Sequence, residues 1–318
     1  MNLLFINHQK LSNAGSSNTC FSFPTQSLNI PPSVQHFLIN KFTLMEARIL
    51  MPIQDTASIN GQLATGSQLS ALTFAGHAHF TAMQVRHGKI RGLDLHLERL
   101  QHASHHLFGK SLSDDAILHQ IRDVLRSGEE NTSLMVYVYS DSGEFTPRED
   151  DSRLNILIRQ SAASNGPEGP LTMKTFAHER MLPSIKHVGE IAKTHLMRQA
   201  VHQGFDDAIF TDNQGRFTEA SIWNLAFWDG ETVIWPKGAK LCGTTMQIVQ
   251  RQLDAMQIPQ QEQDITETNL LCFQAAAVMN SWTPGIAISK INTTHFSDTR
   301  EFIALLHRAF AKEAFIAP

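Results

Sequence analysis

The strongest constraint on the fold is a pair of apolar segments joined by a short turn signal in the C-terminal half of the chain. Asn224–Trp228 and Glu231–Trp235 are rich in aromatic and aliphatic residues, and the dipeptide Asp229-Gly230 lies between them. Such a dipeptide between two strand-forming segments is typical of a β-hairpin whose turn contains two residues. The sequence therefore predicts two antiparallel strands at this place.

Further strand and helix patterns alternate along the rest of the chain. Strand patterns end at turn signals, whereas helical patterns place apolar residues on one face at three- and four-residue spacing. The predicted strands lie within 71–91, with a turn at His87-Gly88, and at 134–139, 154–158 and 207–211; the predicted helices lie at 93–107, at 190–202 and from Thr244 onward. This mixture of elements predicts an α/β fold.

Length and local composition indicate two domains preceded by a leader. A chain of 318 residues is long enough to enclose two separate cores. Residues 1–50 are rich in Asn, Gln, Ser and Pro, which predicts a loosely attached, mobile leader. Residues 161–170 lack an apolar period and contain Ser, Asn, Gly and Pro, so a linker is predicted there. We expect a smaller N-terminal α/β domain at 51–160 and a larger C-terminal domain at 171–318.

Charge and cysteine usage narrow the class of protein. The net charge of −4 offers no basic surface for nucleic acid, and no apolar segment reaches the roughly 18 residues that a membrane span requires. Cys20, Cys242 and Cys272 are odd in number and far apart, which favours neither a disulfide framework nor a zinc site. We therefore expect a cytoplasmic protein without a nucleic-acid or membrane partner. Histidines cluster near His77 and His79, but no ligand set is complete at the usual spacing, so we expect no metal.

Two residues could together hold and activate a cofactor that carries a carbonyl group. Lys186 lies between Pro183-Ser184-Ile185 and a predicted helix, where partial burial would lower its pKa and make it a nucleophilic amine. Glu219 follows the turn at Gly215 and could keep the nitrogen of a pyridine ring protonated. Taken singly, a solvated lysine and an exposed strand glutamate are the commoner cases.

Four further residues offer an anion site. Gly243-Thr244-Thr245 precedes a predicted helix whose free backbone N–H groups and two hydroxyls would suit a phosphate, although an ordinary N-cap is the commoner use of threonine there. Arg99 lies on the polar side of the helix predicted at 93–107 and could bind a phosphate with two N–H groups. Pairing with His96 or simple solvation is the commoner fate of such an arginine.

These residues belong to an ordered series of motifs that spans about residues 72–310. The motifs are Phe80-Thr81-Ala82, His87-Gly88-Lys89, His96-x-x-Arg99-Leu100, Pro183-x-Ile185-Lys186-His187, Gly204–Ala208, Asp212–Gly215, Glu219-x-x-x-x-Asn224, Leu241-x-Gly243-Thr244-Thr245 and Asn280-Ser281. The series resembles the class IV aminotransferase family, the fold type IV group of pyridoxal 5′-phosphate (PLP) enzymes. This group includes branched-chain aminotransferase, D-amino-acid aminotransferase and aminodeoxychorismate lyase.

The resemblance implies a role for each of the matched residues. Lys186 matches the Schiff-base lysine, Glu219 the carboxylate on the pyridine nitrogen, and Arg99 the phosphate-binding arginine. The other matched positions are Gly243, Thr244 and Thr245 in the phosphate loop, Asn224 as a structural support, and Ser281 where relatives often place a phosphate-contacting threonine. The resemblance also implies that PLP lies in the cleft between the two domains and that a homodimer completes the pocket.

The segment after the strand at 134–139 departs from the family pattern. Relatives usually place an Arg or a Tyr near the substrate carboxylate there, but Tyr139–Glu144 contains no Arg. Tyr137 and Tyr139 are the two tyrosines of the chain, so one of them would have to contact the phenolic oxygen of the cofactor; both are predicted on the same strand face. Other arginines that could bind the carboxylate are Arg86, Arg148 and Arg180, of which none is preferred.

Four functions remain open. The first is an aminotransferase that moves an amino group from an amino acid or primary amine to a 2-oxo acid. The second is a PLP-dependent 4-amino-4-deoxychorismate lyase that releases pyruvate, favoured by His187 and by Asn280-Ser281 before Trp282. The third is a PLP-fold protein that binds without turnover. The fourth is an unrelated phosphate-binding enzyme, which would require a Walker or Rossmann glycine pattern that the sequence lacks.

Overall fold

A computed structural model describes residues 56–70, 72, 76–127, 129–141, 153–297 and 299–318, and all of these fall within one compact unit. The predicted leader at 1–50 and the candidate Arg148 lie outside the described residues. The described residues form two β-sheets with helices packed on them, which confirms the predicted α/β fold. No helix of the described chain is both long and apolar enough to cross a membrane.

Seven strands of the described chain form the first sheet, in the order β16-β4-β3-β5-β6-β1-β2. Their bounds are β1 (Thr56–Ile59), β2 (Gln62–Leu63), β3 (Ala78–Arg86), β4 (Lys89–Arg91), β5 (Thr132–Ser140), β6 (Leu154–Ala162) and β16 (Phe315–Ile316). All neighbouring pairs are antiparallel. The predicted turn at His87-Gly88 joins β3 to β4 with a positive φ at both residues, which is the conformation of a tight hairpin turn.

Helices cover one face of the first sheet and leave the other face for the site. The helices of this half are α1 (Gly66–Ser70), α2 (Leu93–Phe108) and α3 (Asp114–Ser127). Leu93 and Leu100 of α2 and Ile121 of α3 pack with Met83 and Val136 of the sheet in one buried cluster. Full burial of each such side chain contributes about 1.5–3 kcal/mol. Because side chains alternate along a strand, every second residue of β3, β5 and β6 faces away from these helices.

The second sheet has the order β12-β11-β10-β13-β14-β7-β8-β9, and β15 pairs with β14. Its strands are β7 (Leu171–Ala177), β8 (Asp207–Thr211), β9 (Phe217–Ala220), β10 (Asn224–Trp228), β11 (Val233–Pro236), β12 (Gln260–Gln263), β13 (Ala275–Asn280), β14 (Thr283–Ile291) and β15 (Thr294–His295). The helices of this half are α4 (Ile191–His202), α5 (Thr244–Ala255), α6 (Arg300–Lys312) and a 3-10 helix at Glu267–Cys272. β7 pairs in parallel with β8 and β14, and β11 with β12; the other pairs are antiparallel.

The predicted hairpin is confirmed, but its turn is longer than predicted. Trp228 of β10 pairs with Val233 of β11, which leaves the four residues 229–232 in the turn. The Asp229 carboxylate accepts hydrogen bonds from the backbone N–H groups of Glu231 (2.9 Å) and Thr232 (2.7 Å). The aspartate side chain thus organises the turn, and Glu231 lies in it instead of in the strand.

The other predicted strands and helices are present, with differences at two ends. β6 continues through Ala162, two residues into the predicted linker at 161–170. β16 comes from the end of the predicted C-terminal domain but pairs with β4 of the first sheet. The Arg91 guanidinium of β4 lies 3.9 Å from the centroid of the Phe315 ring, a cation–π contact that holds this edge strand in place. The division of the chain into two domains at 161–170 stays a prediction.

Candidate active site

The segment that carries Lys186 connects β7 to α4 and lies along β3 of the first sheet. The backbone N–H of Phe80 donates to the carbonyl oxygen of Lys186 (2.9 Å), and that of Val188 donates to the carbonyl oxygen of Ala78 (3.0 Å). Lys186 Nζ lies 4.7 Å from the centroid of the Phe80 ring, where an ammonium group and an aromatic face attract each other. These contacts fix the lysine over the helix-free face of the first sheet.

Lys186 lines two cavities, one of about 420 Å³ and one of about 330 Å³. Phe80 and Ile222 also line both cavities, so the lysine lies where the two meet. The predicted site residues that line the larger cavity are Arg99, Lys186, Asn224, Gly243, Thr244, Thr245 and Ser281. Eight residues were predicted for the site, and the structure brings these seven together. Glu219 is the eighth.

The start of α5 forms one end of the larger cavity. Gly243 immediately precedes the helix, and Thr244 and Thr245 of its first turn are buried. N–H groups at the start of an α-helix lack partners within the helix and carry a partial positive charge. Arg99 Nη2 donates to the carbonyl oxygen of Cys242 (2.9 Å), so its guanidinium lies beside the same loop. A cation next to a helix start suits a phosphate.

Asn224 holds the loop that leads into α5. Its Nδ2 donates to the carbonyl oxygen of Leu241 (2.6 Å). A Cβ atom placed on Gly243 would lie 2.0 Å from Asn224 Oδ1, far inside contact distance. Asn224 therefore has a structural part in this loop, and position 243 has room for glycine only.

Glu219 lies in β9, buried and outside the described lining of both cavities. Its Oε1 is 3.2 Å from Lys193 Nζ and 3.6 Å from Arg180 Nη1, and its Oε2 accepts a hydrogen bond from the backbone N–H of Leu241 (3.3 Å). Lys193 and Arg180 both line the smaller cavity, so the carboxylate lies behind them. The role of Glu219 at a pyridine nitrogen stays a prediction.

Glu190 completes a cluster of two carboxylates and two cations. Its Oε1 lies 2.7 Å from Arg180 Nη2, and its Oε2 lies 3.9 Å from Lys193 Nζ. Arg180 also donates to the carbonyl oxygen of Ile185 (2.5 Å), next to the site lysine. Removing one member of a buried ion cluster leaves another charge uncompensated, so the four side chains of Glu190, Glu219, Arg180 and Lys193 act as a unit.

The surroundings of Lys186 lower the pKa of its amine to about 7. Burial by the surrounding protein atoms is the largest cause, followed by the positive charges of Arg99, Lys193 and Arg180, while Glu219 acts in the opposite direction. At neutral pH much of the amine is therefore unprotonated, which is the form that attacks a carbonyl carbon. Burial and the charge of Arg180 also lower the pKa of Arg99, to about 10, so its guanidinium remains charged at neutral pH.

Arg86 and Arg180, the described arginines that the sequence suggested as carboxylate ligands, form contacts with other protein groups. Arg86 donates to the carbonyl oxygen of Ser164 (3.0 Å) and to Asn165 Oδ1 (3.1 Å). Arg180 belongs to the ion cluster. The arginine that does line the larger cavity beside Arg99 is Arg159 of β6, which sequence analysis did not single out. Arg159 follows directly after the strand predicted at 154–158, and extending the alternation of that strand by one residue was the available signal.

Tyr137 borders the site from the first sheet. Its ring stacks on Phe80 with the ring centroids 5.2 Å apart, and it lines the smaller cavity together with Lys186. Tyr137 and Tyr139 occupy the same face of β5, as predicted, because both are half-buried while the alternating residues Val136 and Val138 are buried. Contact of either tyrosine with a cofactor stays a prediction.

Sequence analysis also missed Glu190 and Lys193. Both line the smaller cavity together with Thr194 and Met197 of α4. The spacing 190, 193, 194 and 197 places all four residues on one helix face, and this face starts four residues after Lys186. The polar residues Glu190, Lys193 and Thr194 at that spacing were present in the sequence and could have indicated the cluster.

Two histidines near the site have structural partners. His79 Nε2 lies 2.8 Å from Ser104 Oγ, and His96 Nδ1 lies 2.7 Å from Thr81 Oγ1. Burial lowers the pKa of both rings to about 3, so both are neutral at physiological pH. Within the part of the chain that the structure describes, no group of three or more His, Cys, Asp or Glu residues is arranged to hold a metal ion.

Comparison with known proteins supplies the family. The family model described as amino-transferase class IV matches residues 78–291, which is more than half of the chain and includes all eight predicted site residues. The chain belongs to the class IV aminotransferase family. The cofactor of this family is PLP, and the family and the cofactor expected from the sequence are therefore confirmed.

Several solved structures share the fold of this class IV chain. A putative 4-amino-4-deoxychorismate lyase from Legionella pneumophila is 21% identical, with a TM-score of 0.65 over 75% of this chain and 93% of that chain. A branched-chain amino acid aminotransferase from Escherichia coli is 15% identical, with a TM-score of 0.70 over 81% and 93%. An aminotransferase from Brucella abortus bound to PLP is 18% identical, with a TM-score of 0.68 over 81% and 99%. At these identities the likeness shows the fold alone, and no curated protein matches the sequence significantly.

The side chains around Lys186 offer the chemical groups that PLP requires. The phosphate of PLP requires positive partners, which Arg99 and the start of α5 offer at one end of the larger cavity. Its aldehyde requires an amine, and Lys186 lies at the junction of the cavities. Its ring nitrogen requires a carboxylate, and Glu219 lies behind Lys193 on the adjoining side.

Proposed function

We propose that this protein is a PLP-dependent aminotransferase that moves an amino group from an amino acid or primary amine to a 2-oxo acid through a Schiff base on Lys186. The observation that carries the proposal is the environment of the Lys186 amine. It lies where two cavities meet, and its pKa is about 7. A lysine of this kind is suited to attack an aldehyde and later to leave it for a substrate amine.

The side chains around Lys186 have distinct tasks in this reaction. When bound, PLP supplies a ring that stabilises negative charge at the substrate Cα. Arg99 and Thr244-Thr245 hold the phosphate and orient the ring, and Glu219 keeps the ring nitrogen protonated. The Lys186 amine, once free, would take the proton from the substrate Cα and later release it, as a base and then as an acid.

Borohydride labelling tests the central residue. The full-length protein incubated with PLP should gain a visible absorption band, and borohydride reduction followed by peptide mapping should place the pyridoxyl group on Lys186. Lys186→Ala should lose the band, whereas Lys237→Ala, a change at an exposed lysine, should retain it. Labelling of Lys193, or no cofactor uptake by the unaltered protein, would overturn the proposal.

The alternative is a PLP-dependent 4-amino-4-deoxychorismate lyase that releases pyruvate. Asn280 and Ser281 favour it, because the sequence resembles the lyases at these two residues and both line the larger cavity. Lys186 and Glu219 would serve either reaction, since the outcome depends on whether the proton reaches the cofactor or a leaving group departs from the substrate. Pyruvate formed from 4-amino-4-deoxychorismate without any 2-oxo acid would establish the lyase. Conversion of a 2-oxo acid into an amino acid by an amine donor would establish the aminotransferase.

We further propose that the protein forms a homodimer in the cytoplasm. Met181, Ile191 and Ile222 lie beside or in the cavity walls and are exposed by 80%, 84% and 49%, so a second copy would remove apolar surface from water at the entrance of the site. Cys242 and Cys272 are exposed free thiols, which a reducing compartment preserves. Light scattering should give twice the mass of one chain, and Ile191→Glu should give the mass of one.

A further inference from the structure

The helix-free face of the first sheet carries a row of side chains that includes Arg159. Ala82 of β3 pairs with Met135 of β5, and Met135 pairs with Arg159 of β6, so the three residues lie side by side across the sheet. All three line the larger cavity, together with Lys186. Arg159 thus projects from the floor of the cavity that contains the reactive amine.

The next row along the strands is small and polar. Gln84, Ser133 and Ser161 are paired across the same three strands and also line the larger cavity. Ser133 Oγ donates to Gln84 Oε1 (3.0 Å), and the backbone N–H of Ser164 donates to the same oxygen (3.1 Å). These hydrogen bonds hold the wall in one arrangement. A wall of this composition favours a polar substrate over a purely aliphatic one.

The charge of the larger cavity is positive. Its described lining contains Arg99, Arg159 and Lys186, and no Asp or Glu. Arg99 lies beside the loop before α5, where the phosphate is expected, and Lys186 is the attachment point. Arg159 is on a different element from both, in a strand of the first sheet, so it forms a second positive position in the same cavity.

Arg159 also lies close to the residues that surround the lysine amine. Tyr137 pairs with Leu157, two residues before Arg159, so the two side chains are diagonal neighbours on one face of the sheet. Burial raises the pKa of Tyr137, and the positive charge of Arg159 acts against this rise. Tyr137 stacks on Phe80, and Lys186 Nζ lies 4.7 Å from the Phe80 ring centroid. The guanidinium therefore lines the same cavity as the reactive amine and lies beside the rings that pack against that amine.

We propose that Arg159 binds a carboxylate of the substrate while the substrate amine reacts at Lys186. The substrate is then an amine that carries a carboxylate, not a neutral amine. The planar guanidinium matches a carboxylate with two parallel hydrogen bonds, and it would replace the arginine that relatives carry after the strand at 134–139. This inference rests on the proposed function, because it takes Lys186 as the point of reaction.

The experiment compares 2-aminoisobutyrate with its uncharged analogue 2-aminoisobutyramide, neither of which has a proton on Cα for Lys186 to remove. Each is titrated against the PLP-loaded protein at equilibrium, and its dissociation constant is taken from the change of the visible band, independently of turnover. The unaltered protein should bind the carboxylate about 10- to 100-fold more tightly than the amide, the range expected for hydrogen bonds to a charged group. Arg159→Met should abolish this preference, and Arg159→Lys should retain part of it.

Arg126→Met is the matched control, because Arg126 is 72% exposed on α3 and pairs with Asp123. It should leave both dissociation constants unchanged. A full carboxylate preference in Arg159→Met that still has its visible band would overturn the inference and leave the proposed function intact. The inference would also be overturned if Arg159→Met lost the visible band while its circular dichroism remained that of the folded protein, because Arg159 would then hold the cofactor. Absence of the band in the unaltered protein would overturn the proposed function itself.

Discussion

Lys193 Nζ lies 3.2 Å from Glu219 Oε1, and both side chains are buried. Arg180 Nη1 approaches the same oxygen at 3.6 Å, so two cations share one carboxylate oxygen. The charges of Lys193 and Arg180 also lower the pKa of Lys186, whereas Glu219 raises it. The carboxylate that would hold the ring nitrogen and the amine that would hold the aldehyde are therefore coupled through Lys193.

The first prediction concerns the pH dependence of cofactor capture. The neutral amine is the reactive form, so the rate at which cofactor-free protein takes up PLP should rise with pH and level off above a midpoint near 7. Lys193→Met removes one positive charge near Lys186. Because that charge lowers the pKa of Lys186, its removal should raise this pKa and move the midpoint of PLP uptake to higher pH. Stopped-flow absorbance at a series of pH values measures both midpoints.

Lys237→Met is the control for this measurement, because Lys237 is exposed and no pKa effect on Lys186 involves it. Its midpoint should equal that of the unaltered protein. A Lys193→Met midpoint at the same or a lower pH would contradict the coupling between the two lysines.

The second prediction is that Gly243→Ala damages the phosphate loop. The new Cβ would lie 2.0 Å from Asn224 Oδ1, so either the loop or β10 has to move, and the hydrogen bond from Asn224 to Leu241 would be strained. We expect a loss of about 1–3 kcal/mol in the free energy of unfolding, as for overpacking elsewhere, and weaker binding of PLP. Urea denaturation and equilibrium dialysis measure the two effects.

Gly66→Ala provides a matched glycine substitution. A Cβ at Gly66 would have no neighbour within 4 Å, and alanine favours a helix more than glycine does, so neither stability nor PLP affinity should fall. Asn224→Ser combined with Gly243→Ala removes the clashing atom and should recover part of the PLP affinity. No recovery in the double variant would argue against the steric explanation.

The third prediction separates the phosphate from the rest of the cofactor. Arg99→Gln removes the cation beside the loop before α5, which should weaken binding of PLP by about 10- to 100-fold, the range for a hydrogen bond to a charged group. Pyridoxal has no phosphate, so the same substitution should leave its weaker binding almost unchanged. Equal losses for PLP and pyridoxal would place Arg99 elsewhere in the site.

Local patterns predicted most elements because their causes are local. The helix at 93–107 has its apolar residues at helical spacing, and the structure has α2 at Leu93–Phe108. The hairpin turn was predicted two residues too short because the Asp229 side chain accepts hydrogen bonds from Glu231 and Thr232, a contact that residue type alone does not reveal.

The positions missed by sequence depend on distant contacts. β16 pairs with β4 across more than 200 positions of the chain, and no local pattern specifies that pairing. Lys193 is buried where Glu219, from β9, and Glu190, three residues before it, compensate its charge, and only the contact with Glu190 is local. Arg159 became a candidate once the register of β3, β5 and β6 placed it on the same face as Phe80. By contrast, seven of the eight predicted site residues line one cavity. They were predicted together, as members of one ordered family series, and not one at a time from local patterns.

The last prediction concerns Asp207, a buried residue that shapes the wall of both cavities. Its Oδ2 accepts hydrogen bonds from Ser221 Oγ (2.7 Å) and Trp223 Nε1 (2.9 Å), and these two residues flank Ile222, which lines both cavities. Asp207→Ala leaves the hydroxyl and the indole N–H without this acceptor in a buried place. We expect a loss of about 2–4 kcal/mol in the free energy of unfolding, together with weaker PLP binding.

The neighbouring Asp206→Ala is the control, because Asp206 also accepts two hydrogen bonds, from Thr172, but is exposed. A smaller loss in the free energy of unfolding for Asp206→Ala than for Asp207→Ala would attribute the difference to burial.

Burial is also the largest cause that raises the pKa of Asp207, against the hydrogen bonds from Ser221 and Trp223. The folded protein therefore binds the Asp207 proton at a pH where the unfolded chain has lost it, and falling pH through that window stabilises the fold. Asp207→Asn removes the titrating group, so the unaltered protein should gain stability relative to this variant as the pH falls from neutral toward 4. A constant difference across that range would show that Asp207 carries no raised pKa.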